Sequence, residues 1–141
     1  MTEPISNLAT LLRSMEPVLH EGVYAYCTVP HDTQLAGFFP VVTVREPEGL
    51  TLVLPEEQAV AAGLPVLFRA AWISLTVHSD LQAVGLTAAF SGALGQAGIS
   101  CNVVAGALHD HLFVPVGQAQ RALAALRALQ QSSNKPAPGR V

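Results

Sequence analysis

The chain has 141 residues, half of them hydrophobic and only 12% charged, and its formal net charge is −3. An average soluble protein is roughly 25% charged, so an intrinsically disordered chain is excluded and a core can form without disulfides or metal. A single lysine, Lys135, and scattered arginines offer no basic patch for phosphates, which argues against nucleic acid as a partner.

Ile5, Leu8, Leu11, Leu12 and Met15 recur at helical spacing, and Pro17 stops the run. Val23 to Val29, β-branched and aromatic, reads as a strand. Pro30 to Pro40 has no period and reads as a loop. Val41–Arg45 and Leu50–Leu54 are two short strands joined by Glu46-Pro47-Glu48-Gly49, a good hairpin turn. Pro55 opens a short helix over Glu56–Ala62, with acids in its first turn and Gly63 after its end.

From Arg69 to His78 apolar residues alternate, the period of a strand. After Ser79-Asp80 a helix carries Leu86, Phe90, Ala93, Leu94 and Ala97 on one face and stops at Gly98. Ile99–Ala105 and His111–Val116 are strands around a turn at Gly106–Asp110. A last helix buries Val116, Ala119, Leu123 and Leu126, and from Gln131 a frayed tail is expected.

The two halves repeat. A shift of 60 residues pairs Val44 with Val104, Leu52 with Leu112, Pro55 with Pro115, Gln58 with Gln118, Ala59 with Ala119 and Ala62 with Ala122. Both halves read strand, turn, strand ending near Pro, then an Ala-rich helix. The first half lacks a helix between its first two strands, and a fourth strand is open to exchange between the halves. The expected fold class is α+β, a ferredoxin-like arrangement of antiparallel sheets with helices on one face. The expected divisions are a degenerate unit over 1–67, a fuller unit over 68–130 and a tail over 131–141. Two small sheets that cover each other would account for the sparse charge, and a homodimer for any apolar surface left over.

No apolar stretch is long enough to span a bilayer, because Ala59–Phe68 is interrupted by Gly63 and Pro65. Glu3 and Pro4 stand where a signal peptide would be basic. The expectation is a cytoplasmic protein with no membrane partner and with Cys27 and Cys101 as buried, reduced thiols.

Three places offer chemistry. Ser79, three residues before Gln82, has the form of a capping box, and Gly85 lets the backbone approach a ligand closely. Free N–H groups at a helix start attract a carboxylate. Opposite, Asn102 in the apolar Ile99–Ala105 run is a polar group that wants partners. It stands with Ser100 and Val104 on one face, Cys101, Val103 and Ala105 on the other. His109-Asp110-His111, with His78, can be drawn as a zinc site. Asp110 is a common turn residue, however, and no Cys or second carboxylate is near in sequence, so no metal is expected. His78, His109, Asp110 and His111 are instead candidate ligand contacts. Ser79, His78 and Asp110 lack a nucleophile elbow and no phosphate loop occurs, so no catalytic residues and no cofactor are expected.

Several stretches in one order carry a family resemblance: Gly49–Pro55, Leu75–Ser79, Ala83–Ala89, Ala97–Gly106 and His109–Pro115, with Leu11, Leu12, Met15, Pro17 and Gly22 before them. Over roughly residues 5 to 128 the chain resembles a bacterial group of small tandem ACT-domain proteins. That group is similar to the regulatory modules of aspartokinases and to cytosolic arginine sensors. The resemblance implies two βαββαβ-type units, the first lacking one helix, that bind a small effector, usually an amino acid. It places the ligand between the first strand–helix loop of one unit and strands of its partner. Here those residues are Ser79, Val84, Gly85, Leu86 and Thr87 in the loop, and Cys101, Asn102 and Val103 in the strand. The implied role is a non-enzymatic amino-acid sensor or regulator. A ligand-free assembly module is the alternative.

Overall fold

The computed structural model describes residues 7–134. Ile5 and Lys135 lie outside the described residues, as does the expected tail beyond Asn134. The elements are α1 (Leu8–Ser14), β1 (Pro17–Leu19), β2 (Tyr24–Val29), β3 (Val42–Glu46), β4 (Gly49–Pro55), α2 (Glu56–Ala61), β5 (Phe68–Leu75), α3 (Leu86–Gln96), β6 (Asn102–Ala105), β7 (Asp110–Pro115) and, after a 3-10 turn over Val116–Gln118, α4 (Ala119–Asn134). The last helix thus continues four residues past Gln130, where fraying was expected.

The repeat is visible in backbone angles as well as in sequence. Pro55 (φ −52, ψ 131) and Pro115 (φ −53, ψ 135) each end a strand and open a helix in the same conformation. Their fixed φ suits the first residues of a helix, and their missing N–H costs nothing there. Leu52 and Leu112, one repeat apart, are both fully buried.

Contrary to the expectation drawn from the sparse charge, the two units do not cover each other. They lie side by side in one continuous antiparallel sheet of order β3-β4-β2-β5-β7-β6, with β1 also paired to β5. β5 joins them. Its first residues pair with β2 (Tyr24↔Ala70, Tyr26↔Phe68), completing the first unit. Along its other edge it pairs with β7 from Ala70↔Pro115 to Leu75↔Asp110. The fourth strand of the second unit is β1, with Val18 opposite Ser74. A strand is therefore exchanged, as the repeat allowed. α1 follows it: Leu11 and Met15 pack with Ile73, Phe90, Leu94 and Leu126. Residues 8–19 belong by packing to the second unit, so a division at residue 67 does not separate the two cores.

The main core lies between the sheet and α1, α3 and α4, and its largest side chain is the fully buried Phe90. Burying such a ring stabilises by about 1.5–3 kcal/mol. A smaller core under α2 contains Ala25, Cys27, Leu52, Leu54 and Ala59. The helix missing from the first unit is replaced here by Leu35 and Phe38, whose loop is closed by Phe38 N–H donating to the Leu35 carbonyl. Among the described residues no helix covers the other sheet face, which carries Tyr24, Tyr26, Phe68 and Trp72 around the buried Phe113. Among the described residues no helix is long and apolar enough to cross a membrane.

Candidate functional site

The Ser79–Thr87 loop is positioned by the end of β5. Both neighbours stop at Leu75, since β1 begins at Pro17 and β7 at Asp110, each opposite that residue. Without ladder partners the strand ends there and not at His78, although the alternation in sequence continues. Thr76 is tied down separately, its N–H and hydroxyl donating to the Glu16 carbonyl at 3.0 and 2.9 Å.

The capping box does not form. Ser79 turns inward, where its Oγ donates to Asp110 Oδ2 at 3.4 Å. Gln82 N–H donates to Asp80 Oδ1 at 2.9 Å, an Asx turn that competes with a helix start. The helix begins at Leu86, with Gly85 as its N-cap at φ 101 and no side-chain cap. Glycine adopts this left-handed conformation at no steric cost. Gly85 N–H is outside the helix, Gly85 carbonyl accepts from Ala89 N–H at 2.9 Å, and the first N–H groups of α3 have no intrahelical acceptor.

A cavity of about 60 Å³ lies under the loop, lined by Ser79, Asp80, Leu81, Ala83, Leu86, Thr87, Ala105 and Asp110. Ligand sites usually measure about 300–1,000 Å³, so in this conformation it has room only for water. Its chemical feature is Asp110, 7% exposed. Burial pushes the Asp110 carboxyl up, against the Ser79 hydrogen bond and the nearby His111 and His109, which favour its charged form.

The expected site residues divide. Ser79, Leu86, Thr87 and Asp110 meet at the cavity. Val84, 83% exposed, points to solvent, as does Leu81 of the same loop, 66% exposed. Cys101 and Val103 pack half-buried on the helix side of β6, and burial pushes the Cys101 thiol up to about 11. Asn102 is exposed and on the far face of the sheet, opposite Phe113, whose carbonyl accepts from its Nδ2 at 3.3 Å. The period of two that put Asn102 apart from Cys101 and Val103 also turns it away from the loop. Ala105, two residues beyond Val103, takes its place at the cavity. That parity was the available signal. The histidines also separate: His109 Nδ1 donates to the Val77 carbonyl at 3.2 Å, while His111 joins Ser74 and Trp72 on the helix-free face. His78 is half-buried and does not line the cavity. Among the described residues no three His, Cys, Asp or Glu side chains are placed to hold a metal ion.

Two larger hollows flank the β1–β2 linker and share Glu21 and Gly22. One, of about 630 Å³, is walled by Tyr24, Pro55, Glu57 and Val60. The other, of about 380 Å³, reaches His20, Val116 and Ala119. Both are open and mainly apolar, and neither has a buried charged group at its floor.

ACT-domain models match residues 3–71 and residues 68–128, overlapping at the start of β5, where Ala70 pairs with both β2 and β7. The chain belongs to the ACT-domain family. Its tandem ACT fold is similar to a protein of unknown function from Vibrio cholerae described as a possible transport protein. The two are 50% identical, with a TM-score of 0.80, over 88% of this chain and 96% of that one. It is also similar to the regulatory subunit of aspartate kinase from Thermus flavus, at 13% identity and a TM-score of 0.63, over 80% of this chain and 95% of that one. An Agrobacterium tumefaciens protein matches at 15% identity and a TM-score of 0.63, over 82% and 89%. No curated protein matches the chain. The tandem ACT arrangement therefore extends over residues 3–128.

Proposed function

We propose that this ACT protein is a non-catalytic regulatory module that binds an amino acid at the Ser79–Thr87 loop. One juxtaposition carries the reading: the uncapped start of α3 and the buried Asp110 border the same cavity. An amino acid presents a carboxylate and an ammonium on one carbon. Free N–H groups at a helix start suit the carboxylate, and a buried carboxylate suits the ammonium. The likeness of the fold to an aspartate kinase regulatory subunit supports the same class of role. The cavity must widen to admit the ligand, and the loop that carries the exposed Leu81 and Val84 is the part expected to move. β6 is an open edge of the sheet, so a second copy pairing there brings its strands to the loop and makes a homodimer. A ligand shifts such a protein between forms only by its difference in affinity for them. The two free thiols fit a cytoplasmic setting.

The small cavity favours one other reading, an assembly module whose loop is purely structural. Thermal denaturation with each of the twenty amino acids at millimolar concentration separates the two. A ligand at a hundred times its Kd adds about 2.7 kcal/mol. A melting temperature raised by one amino acid, or by one chemical class, is expected. No response to any of them would favour the assembly module.

A further inference from the structure

On the helix-free face, His20, Trp72, Ser74 and His111 form one connected group. His20 Nε2 is 2.7 Å from Ser74 Oγ, and Ser74 Oγ is 2.8 Å from His111 Nδ1. Trp72 Nε1 donates to the same His111 Nδ1 at 3.2 Å. The His20 ring is stacked on Trp72 with centroids 3.4 Å apart and planes within 8°. An indole N–H only donates, so His111 Nδ1 must be an acceptor and its proton must sit on Nε2. Ser74, buried at 4% exposure, then donates its hydroxyl proton to His111 and accepts one from His20 Nε2. The directions of all three bonds follow from the tryptophan.

We propose that this group is an acid-sensitive latch that holds the exchanged strand β1 on the second unit. His20 follows β1 directly, and its backbone N–H also donates to the Trp72 carbonyl at 2.9 Å. A proton added to His111 Nδ1 turns that atom into a donor: the indole N–H loses its acceptor, and Ser74, already accepting from His20, must turn its hydroxyl proton away from His111. Neutral histidines keep the latch closed, and a charged His111 opens it. His20 can take a proton on Nδ1 and still donate from Nε2, so His111 is the sensitive member. Release frees the linker at Glu21 and Gly22, which lines both larger hollows.

Burial and the neighbouring histidines act in the same direction, and only Asp110 acts against them. Burial lowers the affinity of His20 for a proton, and the charge of His111 lowers it further. Burial lowers that of His111, His109 adds to this, and Asp110 on the other face of the sheet opposes it. From β2, Tyr24 meets Trp72 edge-on, and its hydroxyl donates to the Glu21 carbonyl. From β6, the residue opposite His111 is the uncharged Val104, and from β1, Val18 stands opposite Ser74. With folded-state values below the ordinary 6.5, the closed form has its full stability above pH 6.5 and loses it as pH falls through those values.

Trp72 is the chain's one tryptophan, so its fluorescence reports the stacked His20 directly. The test is a titration of the full chain from pH 7.5 to 4.5, read by Trp72 fluorescence and by hydrogen-exchange protection of the His20 and Thr76 amides. Below a midpoint under pH 6.5, these protection factors are expected to fall roughly tenfold or more while the β2–β4 amides keep theirs. His111→Gln, which keeps an acceptor but no titrating group, is expected to abolish the step, and Ser74→Ala to lower protection at every pH. Loss of protection in β2–β4 at the same pH, or an unchanged step in His111→Gln, would overturn the proposal. Nitrogen NMR of the wild-type histidines decides the matter even if a variant fails to fold. His111 with its neutral-pH proton on Nε2 is expected, and a proton on Nδ1 would overturn the latch.

Discussion

Gly85→Ala and Gly92→Ala make the same chemical change at two points of one helix, and opposite outcomes are expected. Gly85 holds φ 101, and a Cβ there would lie 3.0 Å from Leu8 Cδ2. An L-residue in the left-handed region costs about 1–2 kcal/mol. Leu8 is 37% exposed, so its methyl group can swing aside and adds little. Gly92 lies inside α3 with nothing within 4 Å of an added Cβ and no positive φ. Alanine there is favoured over glycine by about 0.8–1 kcal/mol. At roughly 2–4 °C per kcal/mol for a chain of this size, Gly85→Ala is expected to melt about 2–8 °C lower and Gly92→Ala about 2–4 °C higher. Urea denaturation followed by circular dichroism checks the signs, provided the slope m is unchanged. If both variants shift the same way, α3 does not begin at a left-handed Gly85, and its free N–H groups are not at the loop.

Asp110→Asn is expected to raise the urea midpoint at pH 7 and to leave it unchanged at pH 3. Burial lifts the Asp110 carboxyl above its ordinary 3.8. Its favourable contribution is therefore present below 3.8 and lost as pH rises through the lifted value, so the ionised group opposes folding at neutral pH. The same variant should lose any amino-acid response, and a response kept intact would remove Asp110 from the site. Leu11→Ala should cost about 2–5 kcal/mol, although it sits in a seven-residue helix near the start of the chain. A loss under about 1 kcal/mol would mean that α1 is not docked on the second unit. With the Cys101 thiol pushed up to about 11, only about one in ten thousand is ionised at pH 7. Native protein should react slowly with a disulfide reagent at Cys101 and at the buried Cys27, and rapid modification of either would contradict its burial.

The repeat made the fold legible. Pro55 and Pro115 fix the same strand-to-helix corner, and the Pro30–Pro40 run correctly has no helix. Periodicity also located α1, yet it could not say which unit α1 and β1 join, because that depends on pairing with residues some 55 positions away. The three-residue β1 is too short to show a period. The error at His78 has the same origin, since a strand ends where its partners end. The loop was located, but the cap was misread because Ser79 spends its hydroxyl on Asp110, a partner 31 residues away. The period of two separates Asn102 from Cys101 and Val103, and the same parity turns it away from the loop. The group of His20, Trp72, Ser74 and His111 left no local mark, because its members come from three separate segments.

Backbone amide shifts during titration with each of the twenty amino acids test the amino-acid site most directly. The expected result is a saturable change for one amino acid or one chemical class, centred on Gly85, Leu86 and Thr87 with a second focus at Asp110. Changes centred instead on Glu21–Tyr24 and Glu56–Ala61, or no change with any amino acid, would contradict it.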